Sequence, residues 1–381
     1  MLRLSSFRRF STTRIMGNVL DSVNGPARIV VVAPLSGEAS LSELVHLPKE
    51  AKIVAQGTSF EQLQALDNRE EWSTCNILFN VSGNSKTLPD IINNMPYLRW
   101  IHSITAGLDH IICPEIMNNK EIVLTNAKGI YSSSLAEYSL GVCLYFNKQI
   151  PRLLKNQQEK KWDQFIMNEL RGKTLGIVGY GDIGRACAKL AKVFGMRVIC
   201  LRRRPELSRN DRLVDKVVGN DRLLEIMAES DYLISALALV PDTVHFIGKK
   251  ALLHAKKGQV LINIGRGQIS FTYLLTYSLT YSLTHLLAHS LQGMSIDQAA
   301  LIEVLKMENS PLLGCALDVF EKEPLPVESE LWHLPNVIVS PHNADMTADF
   351  RHQSVRFFCE NVANFMNNRE LQNVVDKEMM Y

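Results

Sequence analysis

One run constrains this chain more than any other: Thr174-Leu-Gly-Ile-Val-Gly-Tyr-Gly-Asp-Ile-Gly184. It reads as a buried strand, a glycine turn and the first turn of a helix. Gly179 suits the tight turn, Gly181 lets phosphates approach the backbone, and Gly184 lets the helix pack close to the strand. Asp182 and Ile183 fall on the first helical turn, where unpaired N–H groups and the helix dipole favour an anion. Both flanks fit. An apolar strand precedes the glycines, and Ala186, Leu190, Ala191 and Phe194 follow at helical spacing. The segment therefore predicts dinucleotide binding. The bland alternative is a tight strand–helix turn in some other α/β protein.

With 381 residues, the chain is long enough for about two domains. A net charge of +2 gives no reason to expect nucleic acid or an acidic membrane surface as partner. The seven cysteines are scattered and form no C-x-x-C pair, so the sequence predicts neither a zinc site nor a disulfide framework, and a reducing compartment fits. No metal is expected. Residues 1–25 stand apart. Arg3, Arg8, Arg9 and Arg14 are the only charged side chains before Asp21, with five Ser and Thr between them. Basic, hydroxylated and acid-free describes a mitochondrial presequence, so the mitochondrial matrix is the expected location. A disordered basic tail is the alternative, and Met16 could start a cytoplasmic form.

Apolar runs predict strands at 28–33, 52–54, 77–79 and 98–101, with helical stretches such as 59–66 between them. A long apolar helix is expected over 132–146. Further strands are expected at 175–178, 197–201, 232–235, 260–263, 315–317 and 337–339, again alternating with helices. Alternation of this kind predicts doubly wound parallel sheets, hence an α/β protein with two Rossmann-like domains. The first would comprise residues 26–126 and 345–381, because the helix expected at 349–367 lies beyond the last sheet strand. The second would span 127–344. From Thr272 the chain reads TYLL-TYSL-TYSL-THLL-AHSL, with no charged residue between Arg266 and Asp297. Four is neither a sheet period nor a solenoid repeat length. Residues 270–295 read as a low-complexity insertion; removing them restores an ordinary strand–loop–helix passage.

At the end of the second strand of a dinucleotide fold, an acid for the ribose 2′-hydroxyl is usual. Here the chain has Arg202, Arg203 and Arg204. An acid would repel a 2′-phosphate, whereas a guanidinium binds one, so NADP(H) is favoured over NAD(H). Three further residues follow successive expected strands: Arg266, Glu323 and His342. A 2-oxo acid needs a fixed cation for its carboxylate and carbonyl, which Arg supplies. It also needs a proton donor as hydride arrives, which His supplies when a carboxylate backs it. Each residue alone is weak, since a His after a strand is more often structural. Three at successive strand ends beside a nucleotide fold are stronger.

Taken together, Ile104-Thr-Ala-Gly-Leu-Asp109, Ala136-Glu-Tyr138, the glycine run, Asn263-Ile-Gly-Arg-Gly267, Leu317-Asp-Val-Phe-Glu-Lys-Glu-Pro324 and Leu334-Pro-Asn-Val-Ile-Val-Ser-Pro-His342 resemble the D-isomer-specific 2-hydroxyacid dehydrogenase family. The resemblance covers roughly residues 28–375 apart from the insertion. It implies an Arg–Glu–His triad, onto which Arg266, Glu323 and His342 fall. It implies backbone N–H groups for the substrate carboxylate from the loop at Ala106 and Gly107 and from the loop at Ser82 and Gly83. Asp318 falls where the family holds the nicotinamide carboxamide. Two Rossmann-like domains flanking an active-site cleft and a homodimer are also implied.

The expected activity is NADPH-dependent reduction of a small 2-oxo acid, with glyoxylate or hydroxypyruvate as the implied substrate. Two departures stand out. Ala238 occupies the position of a proline that commonly opens a cofactor-lining loop, and Asn343-Ala-Asp345 replaces a glycine-containing stretch after the histidine. Other readings are a dinucleotide-sensing interaction protein like the C-terminal-binding-protein corepressors, which share this fold, or a form inactivated by residues 270–295.

Overall fold

The computed structural model describes residues 26–35, 38–66, 69–108, 110–238, 241–265 and 294–377. Contacts divide the chain into two compact units. One runs from Met1 to Ile130 and from Ala348 to Tyr381, the other from Tyr131 to Thr347.

The first unit holds a parallel sheet of β1 (Arg28–Val32), β2 (Lys52–Gly57), β3 (Ile77–Asn80), β4 (Trp100–Ser103) and β5 (Val123–Asn126), in the order β2-β1-β3-β4-β5. Its strands are apolar on both faces, as a sheet covered on both sides requires. Val30, Val32, Leu78 and Ile101 face one core, and Ile29, Val31, Ile77, Phe79 and Trp100 the other, by the two-residue alternation of a strand. The second core is closed by the helix Phe350–Met366, whose Val355, Phe358, Val362 and Phe365 are buried. Phe358 stacks on Phe79 with ring centroids 4.0 Å apart. The strand expected at 98–101 begins two residues later, because Leu98 closes a turn by donating its N–H to Met95 O.

The second unit holds β6 (Thr174–Val178), β7 (Arg197–Leu201), β8 (Lys216–Val218), β9 (Tyr232–Ser235), β10 (Gln259–Asn263), β11 (Leu312–Leu317) and β12 (Val337–Val339). They form one parallel sheet ordered β12-β11-β10-β9-β6-β7-β8. The chain starts at β6, winds to β8, then crosses to β9 and winds to β12. The order therefore reverses between β6 and β9, where open α/β sheets bind ligands at the strands' carboxyl ends. The helix Ser132–Asn147 packs against the helix Asp182–Val193.

Residues 266–293 lie outside the described residues, and with them most of the expected insertion. Its expected end at 295 needs correction. Met294 O accepts from His245 N–H, Ser295 O accepts from Ile247 N–H, and Ser295 is buried. Both residues belong to the fold. Among the described residues, no helix is long and apolar enough to cross a membrane.

Candidate active site

The glycine run folds as its spacing predicts. Gly179 follows β6 with φ +96°, and a Cβ there would lie 2.6 Å from Ala236 O on the loop after β9. Only glycine tolerates that conformation and that approach. A Cβ on Gly184 would lie 2.7 Å from Gly179 O, so this position sets how closely helix and strand pack. Gly181 differs: a Cβ there would meet nothing within 4 Å. Among the described residues no neighbour crowds that position, so close approach of a ligand to the backbone would account for the glycine. Gly181 is also the N-cap of the helix Asp182–Val193 and has no side chain to cap the first turn, which carries Asp182, Ile183 and Gly184. These residues fit a dinucleotide pyrophosphate.

One contributor to this loop had no sequence signal. Asp211 Oδ2 accepts from the Tyr180 hydroxyl at 3.1 Å and from Arg185 Nε at 3.0 Å, tying down the flank of the glycine turn. Burial raises the Asp211 pKa, but the Leu213 N–H, Arg185 and Tyr180 outweigh it and hold the carboxyl below its usual range. Arg202, Arg203 and Arg204 follow β7. Arg202 is half-buried and donates to Ser208 Oγ, while Arg203 and Arg204 are exposed.

The chemistry-bearing residues sit on three neighbouring strands. β10 leads into Arg266, which lies outside the described residues; β11 leads to Asp318 and Glu323, and β12 to His342. His342 Nδ1 lies 2.8 Å from Glu323 Oε2, and Glu323 Oε1 accepts from Phe320 N–H at 3.0 Å. An ionised carboxylate can only accept, so Nδ1 carries the proton and donates. The ring's exchangeable site is then Nε2, and no hydrogen bond engages it among the described residues. His342 keeps about a third of its side chain exposed (32%) and Glu323 about half as much (16%). The pair is an oriented imidazole backed by a half-buried carboxylate, the arrangement a general acid requires.

Asp318 is buried, and its Oδ1 accepts from Ser340 Oγ at 2.6 Å, Asn343 N–H at 3.1 Å and Ala344 N–H at 3.1 Å. Its Oδ2 makes no hydrogen bond among the described residues, which leaves one oxygen for an amide donor. Of the two departures, Ala238 accepts from Thr243 Oγ1 at 2.8 Å, and Asn343 and Ala344 spend their N–H groups on Asp318.

In the first unit the two expected carboxylate-binding loops differ. At the loop after β4, Asn126 Nδ2 holds Ala106 O at 2.8 Å, and Thr105 Oγ1 holds Gly107 O at 2.8 Å. A trans peptide points its N–H opposite to its C=O, so the Gly107 N–H is turned away from Asn126. The loop after β3 does not present donors as expected. Val81 and Ser82 donate their N–H groups to Val32 O, each at 3.0 Å, and Gly83 donates to Asn80 Oδ1 at 2.9 Å. Ser82 is exposed but Gly83 is buried, with the Asn80 side chain folded against it. Asn80 closes this loop, a role its apolar strand context concealed.

A doubly wound sheet with an open glycine turn at its reversal point, and an imidazole–carboxylate pair on neighbouring strand ends, defines a dinucleotide-dependent oxidoreductase. Comparison with known proteins makes the class specific. Residues 140–280 and 289–344 match the family model for the D-isomer specific 2-hydroxyacid dehydrogenase, NAD binding domain. A glyoxylate reductase of Aeropyrum pernix is 30% identical over 305 residues, covering 76% of this chain and 80% of the relative. A glyoxylate/hydroxypyruvate reductase B of Pectobacterium carotovorum subsp. carotovorum is 28% identical over 306 residues, covering 79% and 86%. Among solved structures, an NADPH-dependent glyoxylate/hydroxypyruvate reductase from Sinorhizobium meliloti, in complex with NADP and sulfate, superposes with a TM-score of 0.67 at 23% identity. That likeness covers 93% of this chain and all of the other, and it carries the fold. The chain belongs to the D-isomer specific 2-hydroxyacid dehydrogenase family and is an NAD(P)-dependent oxidoreductase. The family match is interrupted at 281–288, inside the four-residue repeat.

Proposed function

We propose that the chain reduces a small 2-oxo acid, glyoxylate or hydroxypyruvate, with NADPH in preference to NADH. The observation that carries this reading is the His342–Glu323 pair at 2.8 Å, with Nε2 left to face a substrate oxygen. When bound, the reduced dinucleotide supplies the hydride. Gly179, Gly181 and the first turn at Asp182, Ile183 and Gly184 would hold its pyrophosphate, and Asp318 would hold the carboxamide. Arg203 and Arg204, exposed beyond β7, suit a 2′-phosphate. His342 donates the Nε2 proton to the substrate oxygen as it becomes a hydroxyl, while Glu323 stabilises the imidazolium before transfer. Arg266 orients the carboxylate and polarises the carbonyl. In the first unit, the peptide at Ala106 and Gly107 keeps an outward N–H that suits a carboxylate. The substrates follow the names of the relatives and the arginines after β7.

The same reading takes the working form as a homodimer in the mitochondrial matrix. Trp162 and Ile166, 93% and 87% exposed, are apolar side chains that a second copy could cover. The acid-free basic N-terminus supports import. Light-scattering mass and organelle fractionation check these two points.

The test of the activity is loss of NADPH absorbance on adding glyoxylate or hydroxypyruvate, with NADH in parallel. Turnover favouring NADPH is expected. The variant His342→Ala should lose about 100- to 10,000-fold in kcat, the scale of general acid catalysis, with NADPH affinity nearly intact. Equal loss of turnover and NADPH binding would remove His342 from the proton-donor role. NADPH binding without turnover on either acid would move the reading to another 2-oxo acid or to a dinucleotide-sensing protein.

A further inference from the structure

His342 has a backbone that needs explaining. Its φ is +53°, in the left-handed region, which costs a non-glycine residue about 1–2 kcal/mol. Something must hold the segment 340–344 in that shape. Within the segment, His342 N–H donates to Ser340 O at 2.9 Å. From below, Asp318 Oδ1 gathers Ser340, Asn343 and Ala344.

A second set of contacts comes from the helix Ser132–Asn147. The Tyr138 hydroxyl lies 3.0 Å from Ser340 Oγ. The single Ser340 proton goes to the Asp318 carboxylate, so Tyr138 donates to Ser340. Burial pushes the Tyr138 phenol up, which keeps it a donor. One turn earlier on the same helix, Ser134 Oγ donates to Ala344 O at 2.6 Å. Positions 134 and 138 are four apart and share a helix face. That face therefore grips the segment at both ends, and His342 sits midway between the grips.

We propose that Ser134 and Tyr138 are positioning residues that clasp the His342 segment and hold Nε2 in its productive place. The proposal rests on the reading of His342 as proton donor. Among the described residues neither side chain hydrogen-bonds to Glu323 or His342; each acts through Ser340 or Ala344. A displacement of about 1 Å at a reacting group can cost about 100-fold in rate. The clasp is thus worth far more in turnover than in binding.

The experiment uses the full chain with Ser134→Ala, Tyr138→Phe and the double variant, beside His342→Ala. Tyr138→Phe keeps the ring and its packing and removes one hydroxyl. The double variant should lose about 10- to 100-fold in kcat, with the KM for glyoxylate and the Kd for NADPH changed less than about threefold. Ser340→Thr, which keeps a hydroxyl, should retain activity, whereas Ser340→Ala should resemble Tyr138→Phe. Hydrogen exchange gives a readout independent of turnover: the amides of Asn343 and Ala344 should exchange faster in the double variant, with β6 to β12 unchanged. Wild-type kcat and unchanged exchange in the double variant would overturn the clasp while leaving His342 standing. Parallel loss of kcat, KM and NADPH affinity would also overturn it, as general loosening. If His342→Ala keeps full turnover, the proton-donor reading itself fails, a result distinct from either.

Discussion

The two sheets reverse direction in the same way and do different things with the result. In the first unit β1 lies between β2 and β3; in the second β6 lies between β7 and β9. Both reversals place a crevice at the carboxyl ends of the strands. In the first unit the loop there closes on itself, since Val32 O and Asn80 Oδ1 take the N–H groups of Val81, Ser82 and Gly83. In the second unit the space a Cβ on Gly181 would enter is open among the described residues, and Gly181 has no side chain to cap the helix behind it. Topology chooses where a ligand can sit. Which backbone donors are left over decides which crevice receives phosphate.

The sharpest way to break this contrast lies within the glycine turn itself. Gly181→Val fills space that only a ligand would use. It should weaken NADPH by about 100-fold, equivalent to about 2.7 kcal/mol, with the unliganded Tm within a few degrees of wild type. Gly179→Val should do the reverse: a Cβ 2.6 Å from Ala236 O, at φ +96°, destabilises the second unit by several kcal/mol before any ligand is added. Isothermal titration and thermal denaturation of the two variants separate these outcomes. Similar profiles for both would mean that Gly181 serves packing, and that the open turn is not the phosphate site.

The first unit should reveal itself through acid. His102 is fully buried among Phe79, Trp100, Phe357 and Phe358. Its Nδ1 is 2.7 Å from Thr125 Oγ1, Nε2 has no hydrogen-bond partner among the described residues, and burial holds its pKa down at about 3. The unfolded chain takes up a proton near pH 6.5 that the folded unit refuses until about pH 3. Between those values the unfolded state binds more protons, so stability falls as pH falls. Above pH 6.5 the residue imposes no penalty. Urea denaturation at pH 7, 5 and 4 should show that slope, and His102→Leu should flatten it whatever its effect at pH 7. An unchanged slope would assign the acid sensitivity elsewhere.

Much of this was legible in the residues, and the failures have causes. The strands that carry the site were readable because parallel strands covered on both faces are continuous apolar runs, as in Leu175–Val178 or Val260–Asn263. β5 was missed because half of it is polar and turned inward: Thr125 accepts from Trp100 Nε1 at 2.8 Å and Asn126 holds Ala106 O. β8 has only three residues and lies at an edge. The helix Ile150–Gln158 was missed because its apolar residues, Ile150, Leu153 and Leu154, are confined to its first half and none of its residues is buried. In the site, Gly179, Gly184, Glu323 and His342 announce themselves by spacing and chemistry. Asp211, Asn80 and Ser134 do not, because each acts through a contact that depends on how separate segments come together. Asp211 reaches a glycine turn about thirty residues upstream, and Ser134 a loop 210 residues away.

The smallest effect is expected where the sequence looks strangest. Ser235, at the end of β9, touches both edges of the repeat-bearing segment. Ile264 N–H donates to Ser235 O at 3.0 Å just before the chain leaves, and Ser295 Oγ lies 3.5 Å from Ser235 Oγ just after it returns. The departing and returning chain are thus held at one residue of one strand, so the residues between need span almost no distance. Loop-closure cost grows only with the logarithm of length, about 0.6 kcal/mol per doubling, so removing a long excursion changes stability little. Deleting 270–293, while keeping Arg266 to Ile269 and the anchoring Met294 and Ser295, should leave Tm within a few degrees and NADPH affinity unchanged. A deletion through 295 should cost more, because it removes the carbonyls that receive His245 and Ile247 N–H. If the shorter deletion unfolds the second unit, the repeat is part of its core. If only the shortened chain turns over, the repeat blocks a working site. If both turn over alike, it is carried without consequence.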